Sequence, residues 1–105
     1  MKKVYLLKSE FEGQSIYKIG VTKNDVKKRV KQLQTGNGFE IEIVNFFESE
    51  YTNKIEKYLH NKYKLKNSHG EWFFLENKDV VNFLTECQEI HDNFKTLNDY
   101  GNPFI

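Results

Sequence analysis

The sequence predicts a small α/β fold of the α+β kind: a three-stranded antiparallel sheet flanked by helices, in the order β-β-α-β-α-(β)-α. Three observations carry that reading. Two strand-like segments, Lys3–Leu7 and Ser15–Val21, follow one another across a polar loop that contains Gly13. Apolar residues then recur three times at helical spacing, and between the first two helices Ile41 and Ile43 alternate with Glu40 and Glu42. A chain of 105 residues supports one core, whereas two domains would each sit near the lower size limit.

Taken in order, Lys3-Val-Tyr-Leu-Leu7 is a short apolar and aromatic strand, and Glu10 to Gln14 is its exit loop. Ser15-Ile-Tyr-Lys-Ile-Gly-Val21 returns as the second strand of a hairpin. Asn24 is the expected N-cap of the first helix, with Val26, Val30 and Leu33 at i, i+4 and i+7 and Gly36-Asn-Gly38 as its stop. The third strand runs from Ile41 toward Phe47. A second helix starts near Thr52, carries Ile55, Tyr58 and Leu59 on its apolar stripe, and ends near Asn67. Gly70-Glu-Trp-Phe-Phe-Leu75 is a short aromatic strand or turn, the bracketed element. After Asn77, a second expected N-cap, Val80, Phe83, Leu84, Cys87, Ile90, Phe94 and Leu97 describe the longest helix and its buried face. Residues 1–105 therefore form a single domain, and the tail from Tyr100 carries no pattern.

Composition excludes several classes. Hydrophobic residues make up 38% and aromatics 15%, and the charges balance to +1, which argues against wholesale disorder and against a polybasic tail. The single cysteine, Cys87, excludes an internal disulfide and a cysteine-based zinc site, and its place on an apolar helix face makes it a core residue. No run of about 18 apolar residues exists to span a membrane, and the apolar run after Met1 is too short for a signal peptide. A cytoplasmic protein with no membrane partner is expected, in a bacterium or a virus-infected cell. Gly36-Asn-Gly38 is not followed by Gly-Lys-Ser/Thr, His60, His69 and His91 lack a metal-ligand spacing, and no Gly-x-Ser-x-Gly elbow is present.

The charges are unevenly placed. Residues 1–37 hold nine Lys or Arg against three Asp or Glu, and residues 57–69 hold four lysines and no acid. Two basic blocks separated by acidic ones either fold into one cationic face that meets phosphate or are ordinary lysine-rich surface. Fifteen of the sixteen basic residues are lysine, alanine is missing, and Pro103 is the single proline. That bias points to an AT-rich genome, such as that of a phage, a virus or a low-GC bacterium. A lone Arg29 surviving such a bias marks a position where lysine does not suffice.

What remains is an ordered constellation: Val4-Tyr5, Tyr17-Lys-Ile-Gly-Val-Thr22, Arg29-Val-Lys-Gln-Leu-Gln-Thr35, Glu56-Lys-Tyr-Leu-His60 and Gly70-Glu-Trp-Phe73. In this order and spacing the chain resembles the GIY-YIG nuclease superfamily, in its short phage- and virus-associated branch. The resemblance covers about residues 2–76 and makes 1–76 the family core, with 77–105 an added helix and tail.

The resemblance implies a metal-dependent endonuclease that hydrolyses DNA with one Mg²⁺ or Mn²⁺ ion. Glu56 would be the metal ligand. Arg29 would grip phosphate oxygens with a planar fork that lysine lacks. Tyr5 would activate or orient the water, and its ordinary pKa of about 10 makes it a weak base without a nearby cation. Lys18 stands where the founding pattern has tyrosine, so it would act on Tyr5 or on phosphate. His60, one helical turn beyond Glu56, joins the catalytic set. Tyr17, Lys28 and Lys31 are the candidate substrate contacts; in a regular strand Tyr17 would instead face the core, and a β-bulge would reverse the two. Glu71-Trp72-Phe73 reads as closing the core edge rather than performing chemistry, with a place for Glu71 near the site as the alternative. Lys3 replaces the glycine of the first half-motif.

The partners implied are DNA and, for want of a visible sequence-reading domain, a protein that supplies specificity; monomer and homodimer both remain open. The alternative functions are a nucleic-acid-binding module of the same fold that does not cut, and a protein-interaction module working through the third helix.

Overall fold

The computed structural model describes residues 1–35 and 38–101. The fold is mixed α+β, with an antiparallel sheet flanked by helices. Strands β1 (Lys3–Phe11) and β2 (Gln14–Thr22) form the hairpin, turning at Glu12-Gly13, where both residues take positive φ. Helix α1 (Val26–Gln34), strand β3 (Glu42–Glu48) and helix α2 (Thr52–Lys62) follow, then a 3₁₀ turn at Lys64–Lys66. Strands β4 (Asn67–His69) and β5 (Trp72–Phe73) form a second, minute hairpin, and helices α3 (Asn77–Val81) and α4 (Phe83–Asp99) end the described chain. The sheet has five strands in the order β3-β1-β2-β5-β4.

Five strands replace the expected three because the Gly70–Leu75 segment pairs on both sides. Trp72 and Phe73 meet Lys18 and Tyr17 of β2, and they also meet His69 and Asn67 of β4.

Alternation along β1 sorts the core into two layers. Val4 and Leu6 join Tyr17, Ile19, Ile55 and Leu59 in the cluster that α2 and α4 cover. Tyr5 and Leu7 join Val26 and Ile41 in the smaller cluster under α1.

Local chemistry corrects several expected boundaries. Asp25, not Asn24, caps α1: its carboxylate accepts from the Lys27 N–H at 2.7 Å. Asn24 instead donates its N–H to the Thr22 hydroxyl at 3.1 Å. The expected stop at Gly36-Asn-Gly38 lies partly outside the described residues. At the third helix the cap is Glu76 rather than Asn77, with the Asp79 carboxylate accepting from the Glu76 N–H at 3.0 Å. Asp79 also takes Lys66 at 2.8 Å, which ties the 3₁₀ turn to α3. The long helix is broken at Asn82 into α3 and α4, and its apolar stripe outruns the surface it covers. Phe83, Cys87 and Ile90 are buried, but Leu84 and Leu97 are exposed by 39% and 42%. Burial of Cys87 pushes its thiol up to about 12, in keeping with a packing role.

Buried Ser49 anchors the entry to α2. Its hydroxyl accepts from the Tyr51 N–H at 2.8 Å and stands 2.7 Å from Nδ1 of His91 on α4. Among the described residues no helix is long and apolar enough to cross a membrane.

Candidate metal and nuclease site

Strand β5 is too short to follow β2 to its end. It pairs with Tyr17 and Lys18 and stops, leaving Gly20 to Thr22 without a β5 partner. The last link on that side is the Ile19 N–H donating to the Glu71 carbonyl at 3.3 Å. Side chains from both faces of the sheet reach this open edge.

From the α2 side come Glu56 and His60, four residues apart and so on one helical face. The β4–β5 turn adds Glu71. Ligand-competent atoms of Glu56, His60 and Glu71 lie within 4.8 Å of one another. His60 is held from behind, with Nε2 2.7 Å from the Ile19 carbonyl oxygen. A carbonyl only accepts, so Nε2 carries the proton and Nδ1 of the neutral ring keeps the lone pair. Phe73 packs edge-on against the ring, with centroids 5.0 Å apart.

From the other face comes Lys18, whose ammonium lies 2.7 Å from Glu71 Oε2 and 5.8 Å from the centre of the Trp72 ring. Only 8% of Lys18 is exposed, so its charge needs this carboxylate. Glu56 has its carboxyl pushed above the ordinary 4.5. The causes are desolvation and the neighbouring Glu71 charge, opposed by His60 and Lys18. With Lys18 balancing Glu71, the second half-buried carboxylate leaves a net negative spot that a further cation would relieve.

Tyr5 pairs with Gly20 across the hairpin and lies over it. A β-carbon at residue 20 would meet the Tyr5 ring at 2.5 Å from Cζ and 2.8 Å from Cε1. Glycine there is what lets the Tyr5 hydroxyl end cross β2, one residue from the carbonyl that positions His60.

Other residues named from sequence are placed differently. Tyr17 packs in the α2-side core with 6% exposure, on the face opposite Lys18, as regular alternation requires. Arg29 on α1 has a buried Nε with no hydrogen-bond partner among the described residues, and one terminal nitrogen lies 3.3 Å from Gln32. Among the described residues no hydrogen bond or ion pair joins Arg29 to the Glu56–His60–Glu71 cluster. Lys28 and Lys31 are exposed on α1. Glu71 is the member that sequence reasoning left at the core edge. Its only signal was its place beside Trp72 and Phe73, residues that had to pack against β2.

A family model for the T5orf172 domain matches residues 2–96. The chain belongs to the T5orf172 domain family. This domain is associated with phage-derived, nuclease-like proteins. The T5orf172 match extends through α3 and most of α4 as well as the residues that carry the sequence motifs. No curated protein and no solved structure matches the chain.

Proposed function

We propose that this T5orf172 domain is a divalent-metal-dependent endonuclease of the GIY-YIG type that hydrolyses DNA phosphodiester bonds at the open edge of β2. The observation that carries the reading is the meeting of Glu56, His60 and Glu71 within 4.8 Å. The order of Tyr5, Lys18, Arg29 and Glu56 along the chain supports the same chemistry, and family membership is in keeping with it.

The donor set fits Mg²⁺ or Mn²⁺: carboxylate oxygens suit both ions, and an imidazole favours Mn²⁺. Glu56, His60 and Glu71 would hold the ion, which when bound supplies Lewis-acid polarisation of a phosphoryl oxygen and an acidified water. The Ile19 carbonyl fixes the His60 tautomer that presents Nδ1, a common support for a ligating histidine. Tyr5, only 1% exposed, would orient the attacking water, the role that the resemblance implies, which asks less of it than full deprotonation. Lys18 adds positive charge beside the cleft, where a phosphate gains a second negative charge in the transition state. Arg29 carries a planar fork suited to two phosphate oxygens.

Supercoiled plasmid incubated with the protein and Mg²⁺ or Mn²⁺ tests the reading. Wild type converts it to nicked or linear forms. Glu56→Gln loses at least 100-fold in rate, the order of magnitude for removing a transition-state electrostatic contact. Arg29→Lys keeps the fold and loses most of the cutting. Undiminished cutting by Glu56→Gln sinks the metal assignment. Salt-dependent DNA binding without any cutting identifies a binding module instead.

A further inference from the structure

Helix α2 has more than a core face and a cleft face. Thr52, Ile55 and Leu59 are buried, and Glu56 and His60 look to the cleft. The remaining surface carries Lys54, Lys57, Tyr58 and Asn61, with Lys64 in the turn that follows. Together with Phe94 of α4 and His60, these residues line a shallow groove of about 680 Å³. A smaller hollow of about 330 Å³ shares His60 and Lys64 and runs on to Gly70 and Phe73, the turn that bears Glu71. The two hollows therefore form a path from Phe94 to the cleft, with His60 belonging to both.

The lysines of this path differ from those on the other flank of α2. Lys62 pairs with Glu86, and Lys66 pairs with Asp79 and Glu76. Among the described residues Lys54, Lys57 and Lys64 pair with no carboxylate; Lys54 lies over the Phe94 ring at 5.5 Å. Three uncompensated cations in a row attract a polyanion. Tyr58 is 52% exposed, an aromatic surface standing between those cations. Lysines interleaved with a free aromatic face form a platform for unpaired bases, because a base inside a duplex already has both faces stacked. At 1.5 Å per residue, the 11 residues of α2 rise roughly 16 Å, the length of a few nucleotides.

We propose that this groove is the track for a single-stranded stretch of nucleic acid leading to or from the cleft. Lys54, Lys57 and Lys64 meet its phosphates and Tyr58 stacks on a base. The inference rests on reading the cleft as a site that acts on nucleic acid, and it adds a substrate preference: DNA with an unpaired segment beside the cut, as at a flap, a gap or a melted end.

The test is fluorescence anisotropy with a labelled single strand of about 20 nucleotides, in EDTA so that nothing is cut. The proteins compared are wild type, Lys54→Gln/Lys57→Gln/Lys64→Gln, Tyr58→Ala and the control Lys62→Gln. Lys57, Tyr58, Lys62 and Lys64 are exposed and Lys54 is half-buried, and circular dichroism confirms that each variant is folded. The triple variant should lower the slope of log affinity against log salt by about 2, at about 0.7 per phosphate contact on a single strand. Tyr58→Ala should weaken single-strand binding about tenfold or more with the slope unchanged and duplex binding unaffected. Lys62→Gln should match wild type.

An unchanged slope in the triple variant, or equal losses on single strand and duplex, overturns the proposal. Polyglutamate that binds as tightly as the oligonucleotide and is equally sensitive to Tyr58→Ala overturns it in favour of an acidic peptide. A protein that binds through the groove but never cuts plasmid refutes the nuclease reading alone. One that cuts while the groove variants bind normally refutes only the groove.

Discussion

On one face of the sheet, Val4, Leu6, Tyr17 and Ile19 are sealed by α2 and α4 into a cluster of eleven buried residues among those described. On the other face, Tyr5 and Leu7 share a cluster of four with Val26 and Ile41 under the nine-residue helix α1. The deep face holds aliphatic and aromatic carbon and little else. The shallow face holds Lys18 and Tyr5, with Arg29 on its covering helix. Lys18 enters the candidate site from the shallow face, and Glu56 and His60 enter it from α2, which covers the deep one, so the polar groups meet at the β2 edge that β5 leaves open. The difference teaches that the large cluster stabilises the fold, while the two carboxylates, His60 and Lys18 meet at the sheet edge, outside both clusters.

The largest expected effect tests the deep face. Leu59→Ala, at a residue 1% exposed, should cost about 3 kcal/mol or more in denaturant unfolding, the usual range for a buried leucine truncated without collapse. Val26→Ala on the shallow face, 3% exposed, should cost about half as much, because a valine gives up fewer methyl groups. Equal losses would mean that the shallow face packs Val26 more tightly for its size than the deep face packs Leu59.

Next in size is Gly20→Ala. The added methyl must enter space held by the Tyr5 ring, and an overpacked site of this kind costs about 1–3 kcal/mol. Thermal denaturation measures it. A neutral result would mean that Tyr5 does not lie across β2.

The smallest effect concerns pH. Glu56 has a folded-state pKa raised above its ordinary 4.5, through burial and the nearby Glu71. A raised carboxyl binds its proton more tightly in the folded state, so its contribution to stability is fully present below the ordinary value. It is lost as pH rises through the folded value. Ionised Glu56 therefore costs stability at neutral pH in metal-free protein. Glu56→Gln should raise the melting temperature slightly at pH 7 and leave it nearly unchanged near pH 4. A melting temperature lowered by the substitution at pH 7 would show that the carboxylate is well compensated without a cation.

The hairpin and α1 were legible in the sequence because their signals are local. Apolar, aromatic and β-branched runs on either side of a glycine loop, and a 3.6-residue stripe, need no tertiary information. Alternation also placed Lys18 and Tyr17 on opposite faces. The short strands β4 and β5, of three and two residues, carry no period, so their pairing depends on β2 offering an edge. Leu84 and Leu97 fit the α4 stripe yet stay exposed, since a hydrophobic period marks a face but not the length of the surface it meets. In the site, the Glu56–His60 pair could be read from its spacing of four. The part played by Glu71 could not, because one acid in a glycine turn resembles any surface acid until folding brings it to α2. The unpaired lysines of α2 are equally invisible, since whether a lysine is neutralised depends on acids far along the chain, such as Glu86 for Lys62.

The central claim is that the open edge of β2 is a divalent-metal centre, and calorimetric titration of metal-free protein with Mn²⁺ tests it most directly. One site per chain is predicted. Its affinity should fall at least tenfold in Glu56→Gln, and in His60→Ala and Glu71→Gln as well, while Lys62→Gln remains at the wild-type value. No Mn²⁺ binding by wild type, or binding that survives Glu56→Gln undiminished, would contradict the account.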